Sequence, residues 1–229
     1  MAASQSISDI TKDIASRVVA WPDCTVPGLR RLRREVSREL RQDDPRKVVG
    51  VALRLAGHPS VPRWFAYELV SHHPAARASL TRDDVERLGR GINTWGDVDA
   101  FGCYIAGPAF REGQIRPVDV RRWARSDDRW WRRAALVSTV PLNNSARGGH
   151  GDSARTLAVC DHLRRDRDDM VVKAMSWALR ELAKKDPGQV DAYLIKNAAE
   201  LAPRVLREVR NKLRTGLKNP KPTAAPSAS

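Results

Sequence analysis

The chain has 229 residues, with 41 Lys and Arg against 27 Asp and Glu, a formal net charge of +14. That length suits one substantial core or one run of stacked repeats, and the charge favours a polyanion, either nucleic acid or an anionic membrane surface. No apolar run approaches about 18 residues, which excludes a membrane span, and the opening MAASQSISDITKDIASR lacks the basic-then-apolar layout of a secretory leader. Cys24, Cys103 and Cys160 are scattered, odd in number and without a CxxC pair, so neither a disulfide framework nor a zinc site is expected, and a reducing cytoplasm is the natural compartment.

In chain order the pattern is helical throughout. Period-two alternation and Asn-Gly or Asp-Gly hairpin turns are missing. Short breaks of Pro, Gly and Asp separate Leu/Ala/Arg/Glu segments. Helices are predicted near 5–20, 27–42, 45–57, 62–73 and 82–90, then 94–110, 117–126 and 128–140, and finally 153–165, 168–185, 188–197 and 202–215. Many short helices without a long seam suit paired antiparallel helices stacked as an all-α solenoid. His72 and His73, at the end of the fourth helix, are expected to cap its last carbonyls.

Helix 94–110 carries the first candidate group. Asn93 or Thr94 caps it, and Val98, Phe101, Ile105 and Ala109 form its buried stripe. Trp95 and Asp99 stand at i and i+4, neighbours on one edge. Gly102 and Ala106 continue that edge as a shallow floor that a ligand backbone could approach. A carboxylate on a surface that binds a polyanion needs a use. One is to stabilise positive charge developing on a deoxyribose; the alternative is an ion pair with a nearby arginine.

In helix 128–140, Trp130, Trp131 and Ala134 turn inward, with Trp123 of the preceding helix also in the core. Arg129 and Arg133 project to the other side, where the planar fork of Arg133 matches a phosphate; a solvated face is the competing reading. Residues 141–152, PLNNSARGGHGD, read as a flexible polar loop. In helix 168–185 the stripe is Val171, Ala174, Met175, Ala178, Leu179 and Leu182. Trp177 points away from it, among Lys173, Arg180 and Lys184, as a platform for phosphate and sugar or as packing against a neighbouring repeat. The segment from Asp127 resembles the one from Asp168 at an offset of 41 residues, within the period of HEAT and armadillo repeats. One domain over 1–217 is expected, followed by a disordered Pro/Ala/Ser-rich tail over 218–229.

Three blocks carry a wider resemblance: Asn93-Thr94-Trp95-Gly96-Asp97-Val98-Asp99, the run from Ser126 to Ala135 around Trp130-Trp131-Arg132-Arg133, and the run from Lys173 to Glu181 around Ser176-Trp177-Ala178. In order and spacing they resemble the AlkD family of DNA alkylation-repair glycosylases, from about Val26 to about Arg210. The resemblance implies a C-shaped superhelix of HEAT-like repeats with a basic concave face along duplex DNA. It implies a Trp–Asp–Trp group against the damaged nucleotide, on Trp95, Asp99 and Trp177, and an arginine on the backbone, Arg133. Lys173, Arg180 and Arg129 join it as DNA-binding residues. It also implies excision of cationic N3- and N7-alkylated purines from double-stranded DNA by a monomer, with no metal, no cofactor and no deep pocket for a flipped base. Thr94 departs from the family, which often has an aromatic residue there, and the loop over 141–152 is longer. The rival readings are a non-catalytic HEAT-like protein for damaged or branched nucleic acid, and a peptide-binding scaffold that the charge disfavours. A metal-dependent hydrolase finds no HExxH or clustered carboxylates.

Overall fold

Local chemistry at the helix starts sets the architecture. The computed structural model describes residues 5–220, and among them every regular element is helical. In the N-terminal part these are α1 (Ile7–Ala20), α2 (Val26–Glu39), α3 (Pro45–Ala56), α4 (Arg63–Ser71), α5 (Pro74–Ala78), α6 (Arg82–Gly89), α7 (Trp95–Phe101) and α8 (Gly107–Arg111). There follow α9 (Pro117–Ala124), α10 (Arg129–Val137), α11 (Val140–Asn143), α12 (Ser153–Leu163), α13 (Asp169–Leu182), α14 (Pro187–Lys196) and α15 (Pro203–Thr215). Ser6, Thr25, Asp44, Thr81, Thr94, Asp128, Asp152, Asp168 and Asp186 each accept a backbone N–H of the following first turn. Such caps satisfy donors that the helix itself cannot, each worth about 1 kcal/mol. Proline stands in the first turn of α2, α3, α5, α14 and α15, where its missing N–H costs nothing. Gly216 closes α15 at φ +74, a conformation that side chains resist.

All twelve expected helices are present, with ends displaced by a few residues. α5 and α11 are additional. The histidines divide their work: His72 Nδ1 lies 2.8 Å from the Glu68 carbonyl, whereas His73 Nδ1 accepts the Ala76 N–H and starts α5. The loop over 141–152 is more structured than expected. Pro141, Leu142 and Asn143 are buried, and the Asn143 side chain ties together Thr139, Thr156 and Asp152 at 3.1, 2.9 and 2.9 Å. The expected tail lies, from residue 221 onward, outside the described residues.

The chain divides between Val120 and Arg121 into two compact units. In the first, α3 packs on α4, and α4 packs on α2 and α7. Its core includes Leu32, Leu55, Phe65, Tyr67, Phe101 and Ile105. In the second, α13 lies against α10 and α15. Buried Ala134, Ala135, Ala174 and Ala178 let these axes approach closely.

Each unit is laced by side chains that bridge from one helical layer to the next. In the first, Arg30 reaches Glu68 and Arg46 reaches Asp84, both over 38 residues. In the second, Arg129 reaches Asp168 over 39, Arg132 reaches Asp166 over 34, and Asn144 reaches Glu181 over 37. Recurrent spacing of this size supports a repeated helical unit. The two expected repeat copies do pack together, as α10 and α13, and their caps Asp128 and Asp168 are 40 residues apart rather than 41.

Candidate active site

In the first unit the candidate residues sit on α7. The Thr94 hydroxyl caps this helix by accepting the Asp97 N–H at 3.2 Å, and it donates to the Asp97 carboxylate at 2.9 Å. That engages Asp97; Asp99, half-buried one turn after Trp95 and itself not without a partner, is the second acid of the helix. Trp95 is 63% exposed, and among the described residues no other aromatic ring stands so far into solvent. An indole left in water forgoes much of the transfer energy that its burial would contribute, so its position calls for a partner.

The expected floor beside them is not open. Helix 94–110 is not uniform: α7 runs into a π-helical turn over Gly102–Ala106, where the Gly107 N–H bonds to the Gly102 carbonyl, and then into α8. Pro108 supplies the cause. It has no N–H for the carbonyl four residues back, and its ring crowds that carbonyl, so the helix widens. The wider turn changes the register, and Gly102 and Ala106 are buried within the protein.

α7 and the π turn rest on α4. The buried Tyr67 ring lies 6.0 Å from Phe101, and its hydroxyl donates to the Leu88 carbonyl at 3.0 Å; burial pushes this phenol up to about 12. On the same helix, Glu68 is 2% exposed and takes Arg30 and Arg33 of α2. Arg30 also lies over the Trp64 ring, 5.4 Å from its centroid, and Glu68, with a smaller influence from Tyr104 of the π turn, raises its guanidinium above the ordinary value. This cluster of Arg30, Trp64 and Tyr104 is not among the residues the sequence singles out; its signal is an arginine spaced 38 residues from a glutamate.

The other candidates belong to the second unit. Arg133 does not project outward with Arg129. It is 5% exposed, and its Nη1 donates to the Met170 carbonyl in the first turn of α13 at 2.5 Å. The packing of α10 on α13 covers this side of the helix, which the sequence of α10 alone cannot reveal. Arg129 remains outside, 5.3 Å over the Trp130 ring and 3.5 Å from Asp168. Trp123 is buried as expected, 5.2 Å from Trp131, but Trp130 and Trp131 are only half-buried.

Trp177 is half-buried on α13, while the expected stripe from Val171 to Leu182 is buried. Lys173 pairs with Asp169 at 2.6 Å. Arg180 Nε donates to Ser176 Oγ at 3.2 Å, and that hydroxyl donates to buried Glu208 of α15 at 2.6 Å. Burial lowers the Arg180 guanidinium below its ordinary value, and Glu208 and Glu181 oppose the shift. Of the cations expected around Trp177, Lys173 and Lys184 are paired with acids and Arg180 bonds a serine. Among the described residues no three His, Cys, Asp or Glu group as a metal site would, and no helix is long and apolar enough to cross a membrane.

A family model described as DNA alkylation repair enzyme matches residues 23–213. No curated protein matches the chain significantly.

Proposed function

Since the chain belongs to the family of DNA alkylation repair enzymes, we propose that it is a monofunctional DNA glycosylase. Its substrates are cationic N3- and N7-alkylated purines in duplex DNA. One observation carries this reading: an exposed indole, Trp95, one helical turn before the half-buried carboxylate of Asp99. A solvent-facing aromatic suits a sugar or base, and a carboxylate on a strongly basic chain suits positive charge.

The chemistry follows from the lesion. An alkylated purine already carries a positive charge, so when the N-glycosidic bond breaks, the electron pair leaves with the base as a neutral molecule. No general acid is needed. The sugar gains oxocarbenium character, which the Asp99 carboxylate and the π face of Trp95 stabilise. Water adds at the anomeric carbon and gives up a proton, for which Asp99 is the acceptor. The product is an abasic site and a free base. In the second unit Arg133, held inside the protein, fixes the first turn of α13, the helix of Trp177, and Arg129 and Lys173, each paired with an acid, join Arg180 as the cations that would meet DNA.

The test is single-turnover release of base from duplex DNA containing one N7-methylguanine, wild type beside Asp99→Asn. Release by wild type and at least roughly a hundredfold loss in the variant, at similar or slightly tighter DNA affinity, is expected. Equal release by both would remove Asp99 from the chemistry. No release by either, with salt-sensitive binding, would favour a non-catalytic reader of damaged DNA.

A further inference from the structure

The second unit holds several of its cations against acids, and three arginines of α15 are not held so. Asp166, Asp168, Asp169 and Glu200 hold Arg132, Arg129, the pair Lys173 and Arg204, and the pair Arg164 and Arg165, respectively. Even the lysines near the end of α15 are engaged: Lys212 donates to the Gly216 carbonyl and Lys218 pairs with Glu208. Arg207, Arg210 and Arg214 differ. All three are exposed, and among the described residues none has an ion pair or side-chain hydrogen bond.

Their spacing places them in one stripe. At about 100° per residue, positions 207, 210 and 214 fall within roughly 60° of one another, on the side of α15 opposite Val205 and Val209, which face the core. The stripe borders a shallow groove lined by Asp191 of α14, Arg207, Arg210, Asn211, Leu213 and Arg214. Three adjacent guanidinium groups repel one another, and a single carboxylate among them does not balance the charge. Asp166, Asp168, Asp169 and Glu200 each take such a group elsewhere in the unit.

We propose that this stripe of α15 binds the phosphate backbone of duplex DNA, independently of sequence. Seven residues of helix span about 10 Å, and phosphates of one strand advance about 3.4 Å along the duplex axis, so three arginines match about three phosphates. Guanidinium forks bind phosphate oxygens in pairs, and backbone interactions of this kind fix register and supply non-specific affinity. The inference takes DNA as the partner from the reading above but is independent of catalysis by Asp99.

The experiment measures binding of the full chain to an undamaged duplex of about 25 base pairs as a function of salt, which gives an answer whether or not the protein excises bases. Arg207→Gln/Arg210→Gln/Arg214→Gln should reduce the slope of log K against log salt by about 2.7, at about 0.9 for each phosphate no longer neutralised. The corresponding triple Lys variant should restore most of the slope, and Asp191→Asn should tighten binding. Each single Gln variant should lower the slope by about one unit, which keeps the test available if the triple variant unfolds. A slope within about half a unit of wild type in all the Gln variants would overturn the proposal and leave an acidic protein or mere solvation as the role of the stripe. Failure of wild type to release base, with the slope change intact, would overturn the glycosylase reading and not this one.

Discussion

Replacing Glu68 by Gln removes the one carboxylate that Arg30 and Arg33 share beneath α7. Glu68 is 2% exposed and Arg33 6%, so the substitution leaves a guanidinium in the interior opposite a neutral amide. Burial already draws Arg33 below its ordinary value, with Glu68 as the main opposing influence. Arg30 is different. Its side chain is 42% exposed and can rehydrate, so its loss is that of a surface pair, below about 1 kcal/mol. The buried partner dominates, and breaking a pair of that kind costs about 3 kcal/mol or more. For a unit of roughly 120 residues, an unfolding entropy near about 2.1 cal/mol/K per residue converts this into a fall in Tm of roughly 12 °C. Thermal unfolding followed by circular dichroism measures it. Arg33→Met/Glu68→Met should recover most of the loss, because the pair is replaced by apolar side chains of similar volume. A fall below about 2 °C for Glu68→Gln, or a double variant melting below the single one, would refute the assignment of Arg33 as the stranded charge.

Gly149→Ala should destabilise the second unit by about 1–3 kcal/mol, seen as a lower urea midpoint, because a methyl group there meets the Pro141 carbonyl oxygen at 2.3 Å and Leu142 backbone atoms at 2.6 Å. An unchanged midpoint would show that the 141–152 segment yields freely. Glu200, hydrogen-bonded by Arg165 and then Arg164, is held at about 2, down from 4.5. It binds fewer protons folded than unfolded between those values, so its stabilising contribution is full above about pH 4.5 and is lost as pH falls towards 2. Melting curves of wild type and Glu200→Gln should therefore converge across that window, and a gap that stays constant would contradict the assignment.

What the sequence reveals and what it withholds follow the range of the interactions. Thr94 caps the helix expected of it, and Asp128 and Asp168 cap theirs, because a cap is complete within about four residues. The stripe of α13 is legible for the same reason, since its periodicity is a property of one segment. Arg133 is not: its acceptor lies 37 residues away, and the wheel of α10 gives no sign that α13 closes over it. The floor beside Asp99 is misplaced by a wheel that keeps about 100° per residue through Gly107-Pro108, where a proline forbids it. The segment over 141–152 reads as loose by composition, yet Asn143 orders it through three hydrogen bonds that only the folded chain assembles. α5 and α11, of five and four residues, are too short to show a period.

The π turn after α7 makes the spacing and the heading of the candidate pair separate properties. Trp95 and Asp99 keep their mutual distance through the ordinary winding of α7. Their direction relative to Ala109 and Phe110 is set by the one extra residue that the wide turn holds. Removing a residue between 102 and 106 would wind the turn down to an α-helix and swing the indole and the carboxylate together by about 100° around the axis. The chain can thus re-aim both groups by a change of length, with no change in either side chain.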